Sequence, residues 1–253
     1  MIWAIKWTLA SLTFFTGSIF LLILSLLRPM NPAVAMMWSR YVPPICLKFL
    51  GVRLEIRHHD FVKKGHPGVL VANHQHALDL FTCSQVLITP TVAVGKRELI
   101  WIPIFGPLFY LTGQIMINRS FHVSAMESMN QAADIAVKRK VSVWMFPEGT
   151  RSQGKPLQRF KRGAFHLAIR SQIPIIPVCV SSYHKNINLK HLKSGTVIID
   201  ILEPISTLGK TASDVDSLVA ECHKKMSHRI NELDTEISQG IKASTTVFAE
   251  PSS

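Results

Sequence analysis

Acidic side chains are scarce in this 253-residue chain: 16 Asp and Glu face 28 Lys and Arg, a formal net charge of +12. Such an imbalance points to an anionic partner, either lipid headgroups or nucleic acid. Nucleic acid falls away, because the chain has no zinc spacing, no RNA-recognition signature and no basic helical zipper. Clusters such as Lys138-Arg139-Lys140 read equally well as a solvated helix end. Cysteine is sparse too. Cys46, Cys83, Cys179 and Cys222 stand far apart with no Cys-x-x-Cys among them. That excludes a disulfide framework and a thiolate metal site, and leaves buried, reduced thiols in a reducing compartment. No Gly-x-Ser-x-Gly elbow is present, and Cys83 lies in an apolar helical run where a packed thiol is expected. The chain therefore offers no nucleophile of its own. No internal repeat suggests a solenoid.

Apolar residues, by contrast, make up 47% of the chain and charged ones only 17%. Residues 7–27, between Lys6 and Arg28, are 21 positions without a charge. A helix rising about 1.5 Å per residue covers roughly 30 Å over that length, the hydrocarbon thickness of a bilayer. A cleaved signal peptide has a shorter apolar region, about 7–15 residues, followed by a small-x-small site. This run leads instead into Arg28-Pro29-Met30, so a retained membrane helix is expected. Lys6 precedes it, whereas Arg28, Arg40, Lys48 and Arg53 follow, and the positive-inside bias then puts the body in the cytoplasm. Residues 31–51 are again apolar and aromatic, broken by Pro43-Pro44 and interrupted by Arg40 and Lys48. They fit an interfacial, half-buried segment or an amphipathic helix packed on the body.

Beyond residue 52, short β-rich runs alternate with helical stretches. Strands are expected at 68–72, 91–94, 114–117, 141–146, 175–180 and 197–201, dense in Val and Ile and bounded by Gly, Pro or polar residues. Apolar steps of three and four predict helices at 124–140 and 213–237. The expected fold is α/β, a mostly parallel sheet flanked by helices, with an N-terminal membrane-embedded helical segment. Residues 1–51 form that segment and its interfacial continuation, 52–240 the α/β body, and 241–253 an aperiodic, frayed tail.

Four expected strands end in reactive residue types: Asn73-His74, Lys96, Arg119, and Glu148-Gly149-Thr150-Arg151. Parallel α/β sheets bind ligands outside the carboxyl ends of their strands, so these residues converge on one edge. His74 and Asp79 form a His-x-x-x-x-Asp pair. With the histidine in a turn and the aspartate in the next helix, the carboxylate reaches back to the imidazole. It fixes the tautomer and leaves the other ring nitrogen free to take a proton. Histidine's unperturbed pKa of about 6.5 suits it to activate an alcohol at neutral pH. A capping pair or a core histidine remains the alternative. In 146–152, Gly149 turns backbone N–H groups toward an anion, Thr150 offers a hydroxyl, and Arg151 presents a bidentate fork for phosphate. Glu148 is placed to accept from a substrate hydroxyl or to hold Arg151; a tight turn with an exposed ion pair is the other reading. Arg119, Lys96, Arg97, Lys161 and Arg162 are further candidate cations, or ordinary surface residues. Residues 99–111, very apolar and broken by Pro103 and Pro107, fit an acyl-chain tunnel, a bilayer-facing surface or core packing.

Together these motifs resemble the glycerolipid acyltransferase family, most closely the bacterial 1-acyl-glycerol-3-phosphate acyltransferases. Asn73-His74…Asp79 resembles the family's first motif, and Lys96-Arg97-Glu98-Leu99 with Pro103 and Gly106 the segment after it. Gly113…Asn118-Arg119 resembles the second motif, 146–152 the third, and Ile173-Pro174-Ile175-Ile176-Pro177-Val178 the fourth, in order across roughly residues 65–205. The resemblance implies acyl transfer from acyl-CoA or acyl-carrier protein, as co-substrate, to the sn-2 hydroxyl of lysophosphatidic acid, giving phosphatidic acid for phospholipid synthesis. It further implies no cofactor and no metal, and a bacterial inner-membrane location with the catalytic body facing the cytoplasm. His74 becomes the base, Asp79 its orienter, and Lys96, Arg119, Glu148, Gly149, Thr150 and Arg151 the acceptor site. Asn118 departs from the aspartate frequent at that position, which removes a negative charge near the phosphate. Rival readings are the same chemistry on glycerol 3-phosphate or another lysophospholipid, and a non-catalytic lipid-binding membrane protein.

Overall fold

The computed structural model describes residues 2–58, 60–63, 66–87, 90–117 and 122–240. The chain opens with helices α1 (Ile2–Leu27) and α2 (Pro32–Leu50), then passes through β1 (Val52–Arg57) and the short α3 (Asp60–Lys63). Next come β2 (Val69–Ala72), the short α4 (Asp79–Thr82), β3 (Thr91–Lys96), α5 (Phe105–Leu111) and β4 (Ile115–Ile117). They are followed by α6 (His122–Arg139), β5 (Ser142–Met145), α7 (Gly163–Ser171) and β6 (Ile175–Val180). The short α8 (Tyr183–Asn186), β7 (Gly195–Ile201) and α9 (Val215–Ser238) complete the described chain. All six expected strands appear, as β2 to β7, and the two expected helices are α6 and α9. The expected tail, 241–253, lies outside the described residues.

The strands form one sheet in the order β1-β7-β6-β2-β5-β3-β4. β6, β2, β5, β3 and β4 run parallel, whereas β7 is antiparallel to β6 and carries β1 parallel to itself. Helices cover both faces, so the central strands are apolar throughout rather than alternating. In β2 the two-residue pleat sends Val69 and Val71 into the core with α6, α7 and α9. Leu70 and Ala72 enter the opposite core, shared with α1 and α2.

β1 is a strand that a search for continuous Val- and Ile-rich runs passes over; its signal is the strict alternation of Val52, Leu54 and Ile56 with Arg53, Glu55 and Arg57. It sits at the sheet edge, where only one flank needs a partner, and pairs from Val52↔Gly195 to Arg57↔Asp200. Its charge is matched there: Arg57 pairs with Glu55 and Glu236, and Arg229 of α9 pairs with Asp200, Glu232 and Glu236.

The prolines at 43 and 44 do not break α2, which continues through both. A proline has no N–H for the carbonyl four residues earlier. For Pro43 that carbonyl is Ser39 O, and the Gln85 side chain donates to it instead, at 2.5 Å. α1 crosses α2 closely at Gly17, where a Cβ would lie 2.5 Å from Val42 Cγ2. The Trp38 indole donates to Ser18 Oγ at 3.0 Å across the same interface.

α1 is inside out for a water-facing helix. It buries Lys6, Ser18 and Ser25 while leaving Phe20 65% and Leu27 77% exposed, with Leu12, Phe15 and Ile23 on the same outer side. By length and composition α1 can cross a membrane. Both of its ends nonetheless touch the body. Lys6 Nζ donates to His191 O at 2.6 Å and Ser194 Oγ at 2.7 Å, and Met30 N, just past the other end, donates to Leu111 O at 2.6 Å.

Candidate active site

The parallel strands place the site, because β2, β5 and β6 are neighbours and all end at one edge. Asn73 extends β2 past its last rung. Its Nδ2 donates to Val180 O at 2.9 Å, and its Oδ1 accepts from Val180 N at 2.8 Å. Gln75 repeats the device, donating to Ser181 O at 3.0 Å and accepting from Tyr183 N at 3.1 Å. Between these anchors His74 is fixed by its own backbone: its N–H donates to Glu148 Oε1 at 2.6 Å, and its carbonyl accepts from Ser152 N at 2.8 Å.

The His74 ring stacks on Phe146, with centroids 4.0 Å apart and planes 18° from parallel. Its Nδ1 lies 2.6 Å from Asp79 Oδ2, and the ring keeps 20% of its surface exposed. Asp79 is 2% exposed and begins α4. The same Oδ2 accepts from Gln75 N at 2.7 Å and His76 N at 3.0 Å. One oxygen thus holds both the imidazole and the backbone of the turn before α4, whereas the helix itself has no side-chain cap. Nε2 makes no hydrogen bond among the described residues, which leaves it available to a substrate.

Glu148, 3% exposed, has both oxygens on backbone donors: Oε1 on His74 N and Oε2 on Gln158 N at 2.9 Å. It makes no ion pair with Arg151, so its place in the site is a brace between the histidine loop and the loop after β5. Burial raises its carboxyl above the ordinary range, against the pull of these two donors. Gly149 turns the chain at φ +74°, and Lys161 Cε and Nζ would lie 3.0 Å from any Cβ there. Beyond it Thr150 and Arg151 are exposed and Ser152 is buried.

A family model described as Acyltransferase matches residues 53–181, which contain every one of these side chains. The 1-acyl-sn-glycerol-3-phosphate acyltransferase of Escherichia coli (strain K12) is 39% identical over 218 residues, 85% of this chain and 87% of that protein. This chain belongs to the acyltransferase family. The enzyme of the same name from Haemophilus influenzae is 41% identical over 213 residues, 84% of this chain and 87% of the relative. The crystal structure of the 1-acyl-sn-glycerophosphate acyltransferase from Thermotoga maritima shares the fold, with a TM-score of 0.72 at 19% identity. That superposition covers 96% of this chain and 97% of the other.

The charge of this acyltransferase is arranged around the site. Between Glu148 and Asp200 the sequence holds nine Lys and Arg and no acid. Arg162, Arg170 and Lys185 have carboxylate partners in Asp216, Asp134 and Asp234. Arg151, Lys155, Arg159 and Lys161, on the loop that leaves β5, have none among the described residues. Cations left unpaired on one loop favour an anionic ligand. Lys96, with Arg97 after it, stands exposed at the end of β3 on the same edge. Arg119 and Asn118 lie outside the described residues. Residues 99–111 turn Trp101, Ile102 and Tyr110 outward, and Phe105 stacks on Phe14 of α1 at 6.4 Å. That segment extends the apolar outer surface of α1, in keeping with its bilayer-facing reading. Gln75, Gln158 and Tyr183 are the residues that sequence reasoning passed over. The strand-end rule applied to β6 points to the last of them, three positions after Val180.

Proposed function

We propose that this acyltransferase moves a fatty acyl group from a thioester, acyl-CoA or acyl-carrier protein, to the sn-2 hydroxyl of 1-acyl-glycerol 3-phosphate, giving phosphatidic acid. The free Nε2 of a histidine clamped to Asp79 at 2.6 Å, on an edge with unpaired cations, carries this reading. His74 takes the hydroxyl proton as the oxygen bonds to the thioester carbonyl carbon. Asp79 stabilises the imidazolium. The C–S bond then breaks, and the sulfur leaves with the proton that His74 held. Arg151, with Lys96 and Arg119, grips the phosphate of the acceptor. Purified enzyme with a labelled thioester should acylate lysophosphatidic acid in preference to glycerol 3-phosphate or lysophospholipids with larger headgroups. The reverse order would overturn the acceptor assignment. Arg151→Ala should raise the acceptor KM about tenfold, the scale of one charged hydrogen bond, with kcat little changed. An unaltered acceptor KM would remove Arg151 from the phosphate site.

The enzyme's place is the cytoplasmic face of the bacterial inner membrane. A spanning helix leaves one end across the bilayer, beyond reach of a body on the near side, whereas α1 is tied to the body at Lys6 and beside Met30. Its apolar outer side therefore lies in one leaflet, at the level of Trp101 and Tyr110. A cysteine at Ile2 should react with an impermeant thiol reagent from the cytoplasmic side only. Labelling from the opposite side would mean that α1 crosses.

A further inference from the structure

Gln75 stands between the two members of the catalytic pair and is 8% exposed. Its backbone N–H donates to Asp79 Oδ2 at 2.7 Å, the oxygen that also holds the His74 ring. Its side chain reaches across to the end of β6, where both ends of the amide are used. Nε2 donates to Ser181 O at 3.0 Å and Val180 O at 3.2 Å, while Oε1 accepts from Tyr183 N at 3.1 Å. The segment it grips is fixed from behind: Ser182 donates its N–H and its hydroxyl to Asp234 of α9, at 2.7 and 2.6 Å. Two carbonyls and one N–H call for two donor hydrogens and one acceptor in a single planar group, and among uncharged side chains the primary amide supplies them. Exchange of its oxygen and nitrogen would set oxygen against two carbonyls and NH2 against an N–H, so one orientation fits.

We infer that Gln75 is a positioning residue for acyl transfer, whose side-chain amide fastens the His74–Asp79 pair to the end of β6 and so holds the imidazole in its reactive orientation. Buried as it is, it acts through the loop that carries the base. The inference rests on His74 being that base, and the tests separate the two claims.

Gln75→Glu exchanges one NH2 for one oxygen at constant size. As the neutral acid, the new side chain still accepts from Tyr183 N and still donates one hydrogen to a carbonyl. As the carboxylate, it faces Val180 O and Ser181 O with no hydrogen to give. Burial, the two carbonyls and the Asp79 charge beside it all favour the neutral form, so its pKa rises above glutamate's usual value of about 4.3, toward the neutral range. The other titratable groups around this loop, His74, His76, Glu148, Tyr183 and Asp234, are common to variant and parent, so kcat is read as the ratio of the two. That ratio should fall at least tenfold as pH rises from about 5.5 to about 8, with both substrates' KM within about twofold; a misplacement of about 1 Å can cost 10²-fold in rate. Circular dichroism at each pH gives the folded fraction, which is all that the activity of a merely structural variant would follow. A folded variant whose ratio changes less than tenfold, beside an inactive His74→Ala, overturns the inference and leaves the base pair standing. His74→Ala with the parent's turnover removes the base assignment and the inference with it. If Gln75→Glu does not stay folded, Gln75→Met decides alone, since it keeps the length and offers no strong donor or acceptor. A loss of kcat of tenfold or more with KM unmoved supports the inference, and a smaller loss, or one carried by KM, overturns it.

Discussion

Replacing His74 with alanine lowers kcat by about 10²- to 10⁴-fold, the range that a positioned general base contributes. The protein should fold all the same. The contacts that hold the histidine loop are made by the His74 backbone, to Glu148 Oε1 and from Ser152 N, and alanine keeps both. What disappears is the imidazole and its stack on Phe146. Thermal unfolding should therefore move little while turnover collapses, with binding of the phosphate-bearing acceptor retained. Turnover within about tenfold of the parent, in a folded variant, would exclude His74 as the base and favour the non-catalytic, lipid-binding reading.

Asp79→Asn should behave differently from a simple loss of the pair. All three donors to Asp79 converge on Oδ2. The amide oxygen of asparagine can take that place, with its NH2 turned to the Oδ1 side. The imidazole then keeps its tautomer and its orientation, and only the negative charge is lost. Two unit charges at roughly 4 Å in an effective dielectric of about 20 interact by about 4 kcal/mol, which corresponds to about 10³-fold in rate. The loss should fall wholly on kcat, since neither substrate touches Asp79. A rate within about threefold of the parent would mean that no imidazolium builds up in the transition state, and the base mechanism would fail. Asp79→Ala should be worse in another respect, because it also leaves the N–H groups of Gln75 and His76 without their acceptor, and the loop itself then loosens.

Much of the fold was legible in the order of residues because a parallel sheet buried on both faces must be built of apolar runs. β2, β5, β6 and β7 announce themselves in that way. β1 shows instead the apolar–charged alternation of an edge strand, but its partner is not written there: Arg57 is balanced by Glu236, nearly 180 residues downstream, and no local pattern carries that partnership. The same limit applies to α2. Pro43-Pro44 signals a break, and the helix continues because Gln85, remote in sequence, donates to the carbonyl that the first proline leaves unmatched.

The amino-acid sequence by itself determined the residue types and their order: a histidine and a carboxylate five positions apart, a Gly-Thr-Arg turn after a strand, and a 21-residue uncharged run after Lys6. Periodicity and strand-end chemistry are local properties, so they can be read locally. Only the tertiary structure decided what each group is bonded to. Glu148 belongs to the wall of the site because strands β2 and β5, far apart along the chain, lie side by side and bring His74 N to its carboxylate. α1 lies along the body because Lys6 finds its acceptors in the loop 189–194. Hydrogen bonds act over about 3 Å in space, whatever the separation along the chain, and only the folded chain sets those distances.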